Sequence, residues 1–536
     1  MLRKLANLCA PILLYIRYRN KLDPFKIVVK LLKIKPILRQ TKSTIIIAPV
    51  RVSPMSNLLE GLVGYFYKLK GHKVVAVMCD QAVDYCENLS RSDSNKVLSC
   101  ALCKKEQDRF CDFFGFENVS VKNQLSGHER NEIKTFVDSR SFKKDEDFIF
   151  SGVNLKDEIV GGTLRYTLKS YYESDMEILK KYAVTAYIFS KAFRKIQEKQ
   201  EAKSLFISHG IYSTWGSIIA TSKKIGLDFT VWGRGYVGQG SLLFGHSKSY
   251  HKDFIEEPNS LWENLVLTAP EIDNVMYYFT EKTKVANKTD YVNYYNNLKR
   301  IEFDVDFFWD KIEQFDTRFG MFTNIPWDGQ IFNKTETFPD TKSYVKSTID
   351  WFINNPSCCL IIRAHPAEKT GLESNQSETF SMLLSELYPI LPANIFFLSP
   401  DNPISSYELI RKIDVAILYG STLSLEFAVM GYPVIQTGSF NISNKEIVYE
   451  IKNLDQYYSL LESAKNKRLV MTEEMKERAL KYGYYWIYKR HIPDHTVELE
   501  RLNFRSFKFK NKEEFINNET LNFVYERIEN KKLLIN

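Results

Sequence analysis

At 536 residues the chain is too long for one ordinary core, and two or three domains are expected. Its 44% hydrophobic and 26% charged residues exclude a disordered or fibrous class. The net charge of +8 is concentrated, because residues 1–43 carry eleven Lys or Arg against one acid, Asp23, and the remainder holds 62 basic and 64 acidic residues. A near-neutral body excludes a general nucleic-acid binder, which needs a basic face on its folded domain.

The basic segment is also apolar, with "LCAPILLYIRYR" from Leu8 and "FKIVVKLLKIKPIL" from Phe25. The run Leu8–Ile16 contains Pro11 and is too short to span a bilayer. No small-residue cleavage site follows it, which argues against a secretory signal. Two readings stay open: a helix lying on an anionic membrane surface, or a helix packed on the body with its lysines solvated. The eight cysteines read as reduced thiols of a cytoplasmic protein. Cys86, Cys100, Cys103 and Cys111 lie close enough in sequence to form a zinc site, with ordinary buried thiols as the alternative.

Strand Thr44–Val50, a helix from Ser56 to Gly71 and strand Lys73–Asp80 predict a βαβ unit on a parallel sheet. Residues 100–200 read as mainly helical. Strand Ser204–Ser208, a helix and strand Asp228–Gly233 predict a second such unit. Residues 255–315 read as a helical passage, after which the alternation restarts. "FGMFTN" ends at Asn324; a helix follows at Thr341–Asn355; Cys358–Pro366 and Asn394–Pro400 are strands. A helix at Ser405–Ile413, the strand "DVAILY", a helix beginning near Ser421 and an apolar run at Pro433–Thr437 complete the series. The expected fold is α/β, with two Rossmann-like domains facing a cleft. The expected domains are a basic segment 1–43, an acceptor domain 44–285, a nucleotide-sugar domain 286–480 and a helical extension 481–536.

In such sheets ligands sit beyond the carboxyl ends of the strands. Gly420, Ser421 and Thr422 follow one apolar run, where a tight turn and two hydroxyls at a helix start suit a phosphate. Glu426, four residues past Thr422, falls on the same helix face and could accept from sugar hydroxyls. Arg363 and His365 follow another strand two residues apart and can both donate to phosphate. Thr323, Asn324 and the pair Asp328-Gly329 follow a third, and Ser208, His209 and Gly210 a fourth. For each the plainer reading is a helix cap, a turn or a solvated side chain.

The stretches "SHGIYSTWG", "GHSKSYHKDFIEEPNSLW", "FTNIPWDG", "IIRAHPAE" and "YGSTLSLEFAVMGYPVI" resemble the capsular-polysaccharide biosynthesis family of bacterial glycosyltransferases. The resemblance covers roughly residues 204–440. Its His-Pro and Ser-Thr pairs are similar to motifs with which GT-B sialyltransferases and Kdo transferases hold a CMP-sugar phosphate. It implies a GT-B enzyme without metal or other cofactor. Carried over, His365, Ser421 and Thr422 would hold the donor phosphate; the reading of the strand ends adds Arg363, Glu426 and Asn324 as donor ligands. The acceptor would be a glycan or lipid-linked glycan, and the enzyme would be peripheral on the inner face of the cell membrane. Asp328-Gly329 is similar to the family's base-holding acidic–Gly motif but lies in the other half of the chain. His209 is the expected general base, because histidine titrates near neutrality, and Asp328 is the reserve. A polyol-phosphate transferase of the teichoic-acid type and a non-catalytic glycan-binding scaffold remain alternatives.

Two further motifs are set aside. Gly233-Arg-Gly235-Tyr-Val-Gly238 has the dinucleotide spacing but lacks a helical period after it. Asp304-Val-Asp306 has the D-x-D form among Phe and Trp, which suits a solvated helix face.

Overall fold

The computed structural model describes residues 2–18, 22–34, 42–49, 54–89, 95–238, 240–246, 250–284, 298–325, 335, 337–370, 378–500 and 503–536. It divides into two compact units, Met1–Thr167 with Tyr172–Asp253 and Arg490–Asn536, and Leu168–Tyr171 with Phe254–Lys489. The expected boundaries at 285 and 480 are therefore displaced. Lys282 is buried against Glu426 inside the second unit, so the helical passage belongs there. Ile492–Pro493 pairs antiparallel with Ser241–Gly245, which returns the last segment to the first unit.

The first unit runs α1 (Leu2–Tyr18), α2 (Pro24–Leu32), β1 (Thr44–Ile47), α3 (Pro54–Leu69), β2 (Lys73–Met78), α4 (Lys96–Phe114) and β3 (Glu117–Ser120). It continues through α5 (Met176–Gln200), β4 (Ser204–Ser208), α6 (Ser217–Lys224), β5 (Asp228–Arg234) and β6 (Ser241–Gly245). The strand order is Ile492–Pro493, β6, β5, β4, β1, β2, β3. β1 to β5 are parallel, and β6 closes the edge antiparallel. The βαβ units read from Thr44 and Ser204 are thus present, with continuous apolar strands buried on both faces. The helix expected from Ser56 starts earlier, at Pro54, because proline lacks only an N–H that the first turn would leave unbonded. Gly61 lets α3 close on α4, since a Cβ there would sit 2.1 Å from the Phe114 ring. α2 buries Phe25, Val28 and Leu32 in the same core.

The second unit runs α7 (Ala269–Lys282), β7 (Thr317–Phe322), α8 (Thr341–Ile353), β8 (Cys358–Arg363), β9 (Ile395–Leu398), β10 (Val415–Leu418), α9 (Leu423–Val429), β11 (Val434–Gln436) and β12 (Tyr449–Glu450). All six strands are parallel, in the order β9, β8, β7, β10, β11, β12. Each unit is Rossmann-like, as expected. The strand order reverses between β1 and β4 in the first and between β7 and β10 in the second, and such switch points are where ligands settle.

Candidate functional site

The second switch point gathers several of the expected residues. Thr323 and Asn324 leave β7, and Gly420, Ser421 and Thr422 leave β10. Asn324 Nδ2 donates to the Gly420 carbonyl at 2.5 Å, spanning the two strand ends. Thr323 joins them to β8: its Oγ1 accepts the His365 N–H at 3.0 Å and its N–H donates to the Arg363 carbonyl at 3.1 Å. Three adjacent strand ends are thereby knitted into one polar rim.

His365 is half-buried, and its Nδ1 accepts the Ala367 N–H at 3.1 Å. Burial, and then the nearby Arg363 charge, hold its pKa down at about 4. The ring is therefore neutral at pH 7, and with Nδ1 accepting, its proton sits on Nε2 as a donor. Ser421 Oγ accepts the Leu423 N–H at 3.3 Å, and the Thr422 hydroxyl makes no capping bond to α9. Both hydroxyl residues are half-buried.

Two expected ligands are committed elsewhere. Arg363 is 1% exposed and its guanidinium donates to four carbonyls: Ala364 at 2.8 Å, Ser399 at 2.7 Å, Ile404 at 3.0 Å and Pro400 at 3.4 Å. It braces the loop after β9 rather than reaching outward. Glu426 is 2% exposed; Oε1 accepts from Lys282 Nζ at 2.8 Å and Oε2 from the Tyr407 hydroxyl at 2.5 Å. Its helix face turns inward, which corrects its assignment to sugar hydroxyls. Asp328 and Gly329 lie outside the described residues. Glu368, one turn past His365, was missed: it is buried, and burial raises its carboxyl to about 7. An acid three residues after the histidine of the His-Pro pair is the signal that could have found it.

The first switch point holds His209. Directly beyond β4, His209, Gly210 and Tyr212 take left-handed backbone at φ 64°, 70° and 67°. A π-helical turn, Tyr212–Gly216, follows and runs into α6. Non-glycine residues at positive φ are strained, and such strain persists only where surroundings hold it. Here the His209 N–H donates to the Trp232 carbonyl at 2.9 Å, and its ring stands edge-on to Trp215 at 5.1 Å. Two buried acids from other elements complete the support. Glu60 Oε1, on α3, accepts the Ser208 N–H at 2.9 Å. Glu87 accepts from the Thr214 N–H at 2.9 Å and its hydroxyl at 2.7 Å. Neither acid was foreseen, because Glu60 in "NLLEGLVG" reads as the wet side of an amphipathic helix.

Glu60 is fully buried, and its Oε2 has no hydrogen-bond partner among the described residues. Burial raises its pKa to about 8, so it is protonated at neutral pH. A carboxyl whose folded pKa lies above its unfolded value stabilises the fold fully below about 4.5 and loses that contribution as pH rises through about 8. Glu60→Gln should therefore flatten the decline of melting temperature between pH 5 and pH 8.5. Parallel melting curves for variant and parent would refute this.

Two lesser expectations resolve plainly. Asp304 caps the helix Val305–Ile312, accepting the Phe307 N–H at 3.0 Å, so the D-x-D form is local helix chemistry. Among the described residues no group of three or more His, Cys, Asp or Glu is placed to hold a metal ion. Cys79, Cys86, Cys100 and Cys103 line one small cavity, while Cys111 packs with the Phe110 core.

The chain is thus a two-unit Rossmann-like α/β protein with polar rims at both switch points. A scan of protein-family models returns no match, and a search of curated proteins returns none. Among solved structures it is similar to the beta Kdo 2,4 transferase of Thermosulfurimonas dismutans KpsC, at 13% identity, covering 54% of this chain and 80% of that one, with TM-score 0.32. For the beta Kdo 2,7 transferase of the same protein the values are 12%, 61%, 89% and 0.31. For UDP-GlcNAc 2-epimerase from Neisseria meningitidis bound to UDP-GlcNAc they are 10%, 83%, 96% and 0.24. Likenesses this distant assign no activity to the chain.

Proposed function

We propose that this chain is a glycosyltransferase that moves a sugar from a nucleotide-sugar donor to a growing surface or capsular glycan. The carrying observation is the rim of the second sheet, where the neutral His365 donor and the Ser421 and Thr422 hydroxyls stand on strand ends tied together by Thr323 and Asn324. These donors would hold the leaving phosphate as its charge develops. Because Arg363 is spent on carbonyls, the donor set is uncharged. That suits the single phosphodiester of a CMP-linked acid sugar better than a diphosphate. On the first sheet, His209 would take the acceptor hydroxyl's proton from a backbone position held by Ser208, Trp232 and the two buried acids. The reading also places the protein peripherally on the inner face of the membrane, where a lipid-linked acceptor would be found.

The test is nucleotide affinity. The double change Ser421→Ala, Thr422→Ala removes two bonds to an anion, each worth about 1.5–3 kcal/mol, so CMP should bind at least about tenfold more weakly. Cytidine, which lacks the phosphate, should be indifferent. Calorimetric titration with CMP, UDP, GDP and cytidine separates the cases. A lower melting temperature with unchanged CMP affinity would assign both hydroxyls to the turn alone. Failure of every nucleotide to bind the parent chain would remove the transferase reading.

A further inference from the structure

Helix α1 is held to the first unit along one side. Ala10 and Leu14 are buried there, and Arg3 pairs with Asp84 at 2.8 Å. The side-chain amides of Asn7 and Gln81 exchange hydrogen bonds of 3.2 and 3.0 Å. The Tyr18 hydroxyl donates to Glu106 Oε1 at 2.7 Å, with the Arg109 guanidinium over its ring. At about 100° per residue, positions 3, 7, 10, 14 and 18 make one face. The opposite face carries Leu2, Leu5, Leu8, Ile12, Tyr15 and Ile16, each 58–72% exposed.

Single exposed apolar residues are ordinary, but six aligned on one helix form a patch that calls for a partner. α2 shows the contrast, since its apolar side is in the core and its lysines 26 and 30, with Lys33 just after it, are exposed. Beside Tyr15 lies a groove of about 340 Å³ whose walls include Lys26 and Lys105. Asp23 and Arg109, also in its wall, pair with each other. The patch thus sits within the eleven-to-one basic excess of residues 1–43. An apolar stripe beside the exposed Lys26 and half-buried Lys105 complements a surface that is apolar within and anionic outside. No helix among the described residues is long and apolar enough to cross a membrane, so the contact would be in the plane of the interface.

We propose that the exposed face of α1 enters the interface of an anionic lipid bilayer, with Lys26 and Lys105 meeting headgroup phosphates beside it. The inference deepens the peripheral placement proposed above but uses none of the polar residues at either sheet's switch point, so its failure and the failure of the nucleotide test are distinguishable.

The experiment is sedimentation of the full chain with vesicles of phosphatidylcholine alone or mixed with phosphatidylglycerol. The parent should bind the mixed vesicles. Leu8→Asp with Ile12→Asp should bind them at least about tenfold more weakly, because two inserting side chains become charged. Both positions are exposed, so melting temperature should hold. Lys26→Glu with Lys105→Glu should weaken binding severalfold, and added salt should weaken the parent. Leu8→Asp, Ile12→Asp protein that binds like the parent would overturn the proposal. So would a parent that ignores the charged vesicles; if that parent is a dimer which the same variant dissolves, the face belongs to a second copy of the chain.

Discussion

Replacing His209 with alanine is expected to lower turnover by about 10² to 10⁴-fold, the usual contribution of a general base, with donor affinity nearly unchanged. The expectation rests on where the backbone puts the ring. His209 follows β4 directly, at the point where the first sheet's strand order reverses, and is held in left-handed conformation at φ 64°. Histidine already carries the steric cost of that conformation, but it is among the residues enriched there and alanine is not, so a loss of turnover could be confused with a loss of fold. His209→Asn separates them. Asparagine tolerates the left-handed region, keeps a polar side chain and cannot take a proton near neutrality. It should melt close to the parent while its turnover falls as far as that of the alanine variant. Donor affinity should hold in both, because the expected phosphate donors are on the second sheet. An asparagine variant within tenfold of parental turnover would remove His209 as the base.

Glu426→Ala should destabilise the second unit by about 3–5 kcal/mol, the cost of leaving a buried charge without its partner. Lys282 Nζ lies 2.8 Å from Oε1, and the lysine and glutamate side chains are 10% and 3% exposed. Removing the carboxylate takes the 2.8 Å acceptor from the buried ammonium and an acceptor from the Tyr407 hydroxyl. Lys282→Met with Glu426→Leu should recover most of the loss, because neither charge is then left buried alone. Denaturant unfolding of the parent, Glu426→Ala and the double variant measures both effects. A stable Glu426→Ala protein with weakened nucleotide affinity would instead return Glu426 to the ligand.

Much of the architecture was legible because its signal is local. A parallel strand buried on both faces must be apolar throughout, so Ser204–Ser208 and the run from Cys358 stood out in the sequence. The helix at Thr341 was equally plain, with Asp340 capping it. Strand ends are where apolar runs stop, so Asn324, His365, Ser421 and His209 could be named as rim residues without coordinates. Proline at position 366 and glycine at 420 mark those stops by backbone restriction and backbone freedom, which are properties of single residues.

What a side chain meets is a different kind of fact. Arg363 reads as a free cation two residues from His365, and only the loop folding back after β9 supplies the carbonyls that consume it. Glu426 reads as an acid one turn into a helix; its partners come from positions 282 and 407, and no local pattern relates those three residues. The same holds for Glu60 beneath Ser208 and for α1, whose docked and exposed faces both contain leucine. The sequence by itself determined the long apolar strands of the two βαβ series and, within a few residues, where they stop, because those depend on near neighbours. It did not show Glu117–Ser120, Ser241–Gly245 or the strands after residue 491, whose short or mixed runs become strands only by pairing with other segments. Only the tertiary structure decided which polar groups are spent inside and which are left at the rim, because burial and pairing are set by contacts between residues far apart in the chain.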